Sequence, residues 1–234
     1  MGDAALVLMA KYPAVGQTKS RLTPPLTPAQ AAALYEALLR DTIELAARLS
    51  HIDLVIAHTP PGATGYFRDI SPPETRLLPV ACGDIGDCLI QTLGKLMEGG
   101  YARVVALNSD GPTLPLEYIR QAFAALDASP VDVVLGPSED GGYYLIGLKQ
   151  PHPALFQGIA WSTDRVTAQT LTKAQTMGLT VAELPSWYDI DRAVDFDRLC
   201  SELPALPDDA LLHTRRLLAE LQQAGDPGPG VFVA

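Results

Sequence analysis

Short apolar runs alternate along the chain with longer segments whose apolar residues recur every three or four positions. An apolar run of four to eight residues between turn residues is typical of a strand buried on both faces, and the longer periodic segments are typical of amphipathic helices. Because strands and helices alternate over most of the length, the pattern predicts an α/β sandwich with a mainly parallel sheet. The predicted strands are Ala4–Ala10, Asp53–His58, Leu77–Ala81, Arg103–Asn108, Val131–Leu135, Tyr143–Leu148 and Leu179–Leu184.

The start of the first predicted helix carries a complete set of helix signals. Thr27 stands at the N-cap, Pro28 at the first helical position and Gln30 three residues after the cap, which together make a capping box. Leucines then recur on one face as far as about Ser50. This apolar stripe predicts a helix that packs on the core.

The composition and charge exclude some classes of binding partner. Of 234 residues, 47% are apolar and 19% are charged, which is enough for a sizeable core, and the formal net charge is −10. An acidic chain without a basic stripe is poorly suited to nucleic acids or anionic membranes, so we expect neither as a partner. There is no signal-like start and no run of ~18 apolar residues. We therefore expect a soluble cytoplasmic protein; its oligomeric state stays open, with a homodimer as the candidate considered.

Cysteines and histidines give no metal motif. The three cysteines form no C-x-x-C pair and are odd in number, which favours reduced thiols over a disulfide framework. The four histidines have no zinc-like spacing. The cysteines are Cys82, Cys88 and Cys200.

The polar turn Asn108–Pro112 directly follows a predicted buried strand. Open α/β sheets bind their ligands at the carboxyl ends of strands, so Asp110 is well placed to hold a hard cation. A plain turn that uses Asp and Gly for their backbone tolerance explains the same residues.

The loop after the first strand carries three cations, Lys11, Lys19 and Arg21. It is not a P-loop, because Pro13 and Thr18 stand where that motif needs glycines. Lys19 and Arg21 could still clamp a diphosphate through charge-assisted hydrogen bonds. The alternative is a solvated basic loop.

Two later loops add carboxylates. Asp140 precedes two glycines after a predicted strand, where it could face a ligand or simply form a hairpin turn. Asp189 and Asp191 lie two residues apart, on one side of an extended chain. Together with Asp110 and substrate phosphates, they match the ligands of Mg²⁺ or Mn²⁺. The glycine-rich segment Gly83–Asp87 could line a pocket, or could be an ordinary helix cap.

Five segments read, in chain order, PAVGQTKSRL, NSDGPTLP, GPSEDGGYYLIGL, WSTDRV and WYDIDRAVDF. Together they resemble a bacterial glycosyltransferase A-like family known as DUF2064. That family is related to nucleotide-diphospho-sugar transferases and to guanylyltransferases of cofactor biosynthesis. The resemblance implies a Rossmann-like three-layer α/β/α sandwich of the glycosyltransferase A type. It covers about residues 4–200, so we predict a nucleotide-diphospho-sugar transferase-like domain at residues 1–200. Residues 201–234 are predicted to add a helical extension (Asp208–Gln223) and a loose tail (Gly225–Gly230).

The resemblance and the loop residues together give the predicted site roles. Predicted catalytic residues are Asp110 and Asp140, and predicted metal ligands are Asp110, Asp189 and Asp191. The predicted nucleotide- and phosphate-binding residues are Lys11, Gly16, Lys19 and Arg21. The predicted acceptor side comprises Gly141, Gly142, Tyr143 and Trp161, whose ring offers a flat apolar wall.

The implied activity is metal-dependent transfer from a nucleotide-activated small-molecule donor to an unidentified acceptor, most simply by a glycosyltransferase. A guanylyltransferase-like nucleotidyltransferase would use the same residues, because both reactions expel a diphosphate-type leaving group. The chain departs from the family at Cys88, where a basic residue is expected. A catalytically silent nucleotide-binding protein is therefore the third hypothesis.

Overall fold

The computed structural model describes residues 2–223 and contains a seven-stranded sheet between two layers of helices. The strands run in the order β3-β2-β1-β4-β6-β5-β7. Among these described strands only β6 is antiparallel to its neighbours, so the predicted mainly parallel α/β/α sandwich is confirmed. The strands are β1 Ala4–Lys11, β2 Asp53–Thr59, β3 Arg76–Pro79, β4 Arg103–Asn108, β5 Val133–Pro137, β6 Tyr143–Leu148 and β7 Val181–Glu183.

Seven α-helices lie within the described residues, and the capping box at Thr27 is formed. The Gln30 amide donates to Thr27 Oγ1 at 3.3 Å, and the Thr27 amide donates to Gln30 Oε1 at 2.7 Å. The short second helix was not expected from the pattern. The helices are α1 Pro28–Ala47, α2 Thr64–Asp69, α3 Ile85–Glu98, α4 Leu116–Asp127, α5 Val166–Thr176, α6 Ala193–Glu202 and α7 Leu212–Gln223.

Both faces of the sheet are buried, which explains why its central strands read as unbroken apolar runs. In β1, Leu6 and Leu8 pack into the cluster covered by α1, α2 and α4. Their neighbours Ala5 and Val7 pack into the opposite cluster, which is covered by α3 and α5. The loops after the strands are thereby held at the carboxyl edge of the sheet.

A third apolar cluster joins the chain's first loop to its last helices. It combines Leu22 with residues of α1, with Tyr188 and Ile190, and with residues of α6 and α7. The buried Asp41 carboxylate accepts hydrogen bonds from the Thr214 amide at 2.9 Å and its hydroxyl at 2.6 Å, and from the His213 amide at 3.0 Å. The division at residue 200 stays a prediction, and the predicted tail Gly225–Gly230 lies outside the described residues.

The expectation of reduced thiols is wrong for two of the three cysteines. Cys82 and Cys88 form a disulfide, with Cα atoms 5.2 Å apart, because the turn into α3 brings the two residues together; Cys200 is free. Five strands differ at their ends from the prediction. β1 and β2 each end one residue later. The other three are β3 Arg76–Pro79, β5 Val133–Pro137 and β7 Val181–Glu183. Among the described helices, none has the length and apolar character to cross a membrane.

Candidate functional site

Three chain segments meet at the carboxyl edge of the sheet: the loop after β1, the turn after β4 and residues 187–191. The first two are neighbours because β1 and β4 pair in parallel. The third is placed by hydrogen bonds, since the Ile190 amide donates to the Asp110 carbonyl at 3.4 Å and the Glu139 amide to the Trp187 carbonyl at 2.9 Å. Lys19, Asp110 and Asp191 therefore lie together, although 172 residues separate the first from the last.

Lys19 is the centre of this cluster. Its backbone takes the left-handed conformation (φ 52°) before a single 3₁₀ turn, Ser20–Leu22. The side chain is only 4% exposed, and Nζ lies 2.6 Å from Asp110 Oδ2 and 2.7 Å from Asp191 Oδ1. Burial opposes the charge, but the two carboxylates outweigh it and raise the pKa of the Lys19 ammonium. Lys19 is thus a fixed positive charge between two acidic side chains.

Asp189 is the third carboxylate of the cluster. Oxygen atoms of Asp110, Asp189 and Asp191 all lie within 4.8 Å of one another. Burial, together with the surrounding carboxylates, raises the pKa of Asp189 to about 7, and Ser138 Oγ donates to its Oδ1 at 3.1 Å. Burial likewise acts against ionisation of Asp191, but Lys19 and Arg21 lower its pKa overall. The Lys19 ammonium alone does not balance the negative charge of the three carboxylates. Their oxygen atoms are ligands that suit a divalent cation.

The first cavity opens beside the cluster and has a volume of about 260 Å³. Its polar side includes Lys11, Lys19 and Asp110, and its apolar side includes Met9, Ile85 and Leu89. The Tyr35 hydroxyl supports the edge between them, accepting from the Lys11 amide at 2.9 Å and lying 2.9 Å from Ser109 Oγ. A charged head group with a flat apolar body matches this lining.

The second cavity, of about 460 Å³, is lined by Asp189 and Asp191 of the same cluster. Its walls carry positively and negatively charged side chains and an aromatic ring. Lining residues include Arg21, Asp140, Gly142, Trp161, Asp164 and Arg192. Ile85, Tyr143 and Asp191 line both cavities.

The loop that carries Asp140 is held rigidly. Asp140 Oδ1 accepts from the Gly142 amide at 2.9 Å, and the Ser138 amide donates to the Gly142 carbonyl at 2.8 Å. Gly141 has φ +90°, and a side chain there would overlap the carbonyl of Asp164. Only glycine therefore allows this close approach to the segment before α5.

Two predicted site residues stand apart from the cavities. Gly16 takes a left-handed turn (φ +76°) and lines neither cavity, and Gly141 acts through its close packing. Sequence reasoning missed Ser138 and Arg192, although both lie inside segments whose resemblance was recognised. The segment Gly83–Asp87 was left open between a pocket wall and a helix cap, and it does both, since Ile85 lines the two cavities and Asp84 caps α3.

A family model for uncharacterized proteins conserved in bacteria (DUF2064) matches residues 42–163, just over half of the chain. The chain belongs to this family. A solved protein from Desulfovibrio desulfuricans G20, provisionally named a nucleotide-diphospho-sugar transferase, is 30% identical to this DUF2064 chain. The match covers 95% of this chain and 96% of that one, with a TM-score of 0.85. A comparison with curated proteins finds no match.

More distant structures share the fold. A cytidylyltransferase from Leptospira borgpetersenii serovar Hardjo-bovis is 10% identical, with a TM-score of 0.60 and full coverage of both chains. Glucosyl-3-phosphoglycerate synthase from Mycobacterium tuberculosis, solved with Mn²⁺, UDP and glucosyl-3-phosphoglycerate, is 14% identical, with a TM-score of 0.51. That match covers 99% of this chain and 83% of the synthase. The fold of this DUF2064 protein is thus shared by nucleotidyl- and glycosyltransferases.

Proposed function

We propose that this protein is a metal-dependent transferase that uses a nucleotide-activated donor, and that the donor is a nucleotide-diphospho-sugar. The observation that carries the proposal is the cluster of Asp110, Asp189 and Asp191 around buried Lys19, beside the first cavity. Mg²⁺ and Mn²⁺ bind carboxylates together with substrate phosphates, so this cluster suits a cation shared with a diphosphate. The 30% identical relative supports sugar transfer as the reaction.

In this proposal the donor diphosphate lies against the loop after β1. Lys19 and the half-exposed Arg21 are placed to donate charge-assisted hydrogen bonds to phosphate oxygens, and Lys11 also lines the cavity. The three carboxylates would hold Mg²⁺ or Mn²⁺, which supplies positive charge against the leaving diphosphate. Lys19 adds a second positive charge that needs no reorganisation, because both of its partners already fix its position.

The second cavity is proposed to bind the acceptor. Asp140 is fixed by its own loop and faces this cavity, so it can take the proton of an acceptor hydroxyl as that oxygen attacks the sugar carbon. The bond between sugar and diphosphate breaks, and the nucleoside diphosphate leaves with the electron pair. Trp161 and Tyr143, whose rings meet edge to face with centroids 6.2 Å apart, line this cavity and supply aromatic surface for the acceptor.

Nucleotidyl transfer is the second candidate. Its support is the structural match to the cytidylyltransferase, which covers both chains in full. In that reaction, Lys19 and Asp110 would act on the pyrophosphate leaving group. A catalytically silent nucleotide-binding protein is the third candidate and rests on Cys88, which stands where the family resemblance predicts a basic residue.

Product identity separates these candidates. The protein is incubated with Mn²⁺ or Mg²⁺ and a panel of nucleotide-diphospho-sugars or nucleoside triphosphates, with water as a slow substitute acceptor. Metal-dependent release of nucleoside diphosphate supports sugar transfer, whereas release of pyrophosphate supports nucleotidyl transfer. Nucleotide binding without either product, across the panel, supports the silent protein.

Matched variants connect the products to the site. Asp110→Asn is expected to abolish metal-dependent turnover, and Asp140→Asn to lower turnover about 10²–10⁴-fold with donor binding retained. Asp69→Asn, at an exposed carboxylate on α2, is the control and should behave as wild type. Full activity in Asp110→Asn would refute the proposed site.

A further inference from the structure

The two bonded cysteines enclose the segment that separates the cavities. Cys82 lies in the loop between β3 and α3, and Cys88 lies in the first turn of α3, six residues later. Between them, Asp84 caps the helix, and its Oδ1 accepts a hydrogen bond from the Asp87 amide at 2.9 Å. The Cys88 amide also donates to the Asp84 carbonyl at 3.1 Å, and Gln91 Nε2 donates to the Ala81 carbonyl at 3.1 Å. These hydrogen bonds all join the segment to itself or to α3.

This segment is a wall of both cavities. Ile85, which is 40% exposed, lines the first and the second, and Leu89 lines the first. Gly86 packs so closely on Trp161 that an added Cβ would lie 2.5 Å from the indole nitrogen. Any loosening of the turn between the cysteines therefore moves a side chain that both ligands would touch.

We propose that Cys82 and Cys88 form a reversible thiol–disulfide modification site that orders this shared wall and strengthens ligand binding when oxidised. The affinity part rests on the proposed function. Cys82 is half-buried and Cys88 is 9% exposed, so a small disulfide can reach the pair through Cys82. Neither thiol is used by the proposed transfer reaction.

The chemistry balances with a low-molecular-weight disulfide such as glutathione disulfide. The Cys82 thiolate attacks one sulfur of that disulfide, forms a mixed disulfide and releases one small thiol. The Cys88 thiolate then attacks the Cys82 sulfur and releases the second small thiol. The two protein thiols are oxidised to one S–S bond, and the small disulfide is reduced to two thiols.

The physical effect is on conformational freedom. In the dithiol form, the turn must be ordered at the moment of binding, and this ordering opposes ligand affinity. In the disulfide form, the restriction is already in place. We expect the oxidised protein to bind nucleotide about 3- to 10-fold more tightly than the reduced protein.

The test uses the full chain in two preparations, one oxidised with glutathione disulfide and one reduced with dithiothreitol. Thiol counting and mass analysis should find three thiols after reduction and a single one, Cys200, after oxidation, because the chain has three cysteines. Amide hydrogen exchange should be slower over residues 83–90 in the oxidised form. Titration with UDP and GDP in the presence of Mn²⁺ should give the affinity difference.

Variants separate the pair from general oxidation. Cys88→Ser and Cys82→Ser should match the reduced protein under both conditions, and Cys200→Ser should keep the full response. Failure of glutathione disulfide to remove two thiols, or equal exchange and equal affinity in the two forms, would overturn the inference. If neither form binds any nucleotide, the proposed function fails, and the exchange rates alone still decide whether the pair orders the wall.

Discussion

At the scale of single residues, the position of Lys19 matters most. The ammonium group is almost fully enclosed and satisfies two carboxylates at once, so it stabilises the fold and forms part of the proposed phosphate site. Removing one partner of a buried ion pair leaves the other charges unbalanced, which is more costly than losing an exposed pair.

Lys19→Met is therefore expected to lower the free energy of unfolding by about 3–5 kcal/mol. Because Asp110 and Asp191 then lack their ammonium partner, added Mn²⁺ should raise the melting temperature of the variant more than that of wild type. Thermal melts with and without Mn²⁺ measure both effects. Lys95→Met, at an exposed site on α3, is the control, and equal melting of all three proteins would contradict the expectation.

His58 gives the fold a pH dependence. It is fully buried at the end of β2, stacks on Phe67 at 4.7 Å, and has ring nitrogens 3.2 Å from the Pro60 carbonyl and 3.1 Å from Thr64 Oγ1. Burial lowers the pKa of this imidazole below its ordinary value, and the Pro60 carbonyl opposes the shift only in part. The unfolded chain then binds the proton more readily than the folded chain.

Stability from His58 is thus present above about pH 6.5 and is lost as the pH falls towards its lowered folded-state pKa. Between pH 7.5 and pH 5, the melting temperature of wild type should fall relative to that of His58→Gln, because both proteins share every other titrating group. Parallel pH profiles for the two proteins would show that His58 does not carry this dependence.

At the scale of elements, the first turn of α3 is set by close packing. Gly86 leaves room for Trp161, whereas a Cβ added at Gly94, on the same helix, would meet no atom of another described element within 4 Å. The same substitution should therefore have opposite effects at the two sites.

Gly86→Ala is expected to destabilise the protein, since the new methyl group overlaps the indole ring and nearby packing must shift. Gly94→Ala should instead stabilise it by about 1 kcal/mol, the usual difference between Gly and Ala within a helix. Urea unfolding of both variants measures the pair of effects. Stabilisation by both substitutions would mean that Trp161 can move away freely.

At the scale of the whole molecule, α7 closes the structure back onto α1. Asp41 receives three hydrogen bonds from the start of α7, and the cluster beneath includes Leu22 next to the Lys19 loop. The last described helix thus supports one side of the proposed site from a distance.

Asp41→Ala removes an acceptor and leaves the Thr214 amide and hydroxyl without it, so unfolding free energy should fall by about 1–3 kcal/mol. Glu44→Ala, which removes only the exposed contact to His213, should cost about 1 kcal/mol or less. Urea unfolding at constant pH distinguishes the two. Equal losses would assign the docking of α7 to its apolar contacts alone.

The sequence allowed the α/β class and most strands to be predicted, because strands buried on both faces leave unbroken apolar runs. The direction of β6 was beyond reach, since an apolar run reads alike in parallel and antiparallel strands. The grouping of Lys19 with Asp110 followed from neighbouring strand ends. The contact from Ser138 to Asp189 spans 51 residues, and only tertiary placement reveals it. Cys82 and Cys88 lie only six residues apart, and their bond depends on the geometry of the turn into α3.

The two cavities share Ile85, Tyr143 and Asp191, and this common boundary constrains how the protein can change. With donor and acceptor in the two cavities as proposed, a mutation of a shared residue that changes the preference for one ligand also changes the preference for the other. The shared residues also favour ordered binding, in which the first ligand completes the surface that binds the second. A change in ligand specificity would then need paired substitutions, one in each cavity, next to the shared residues.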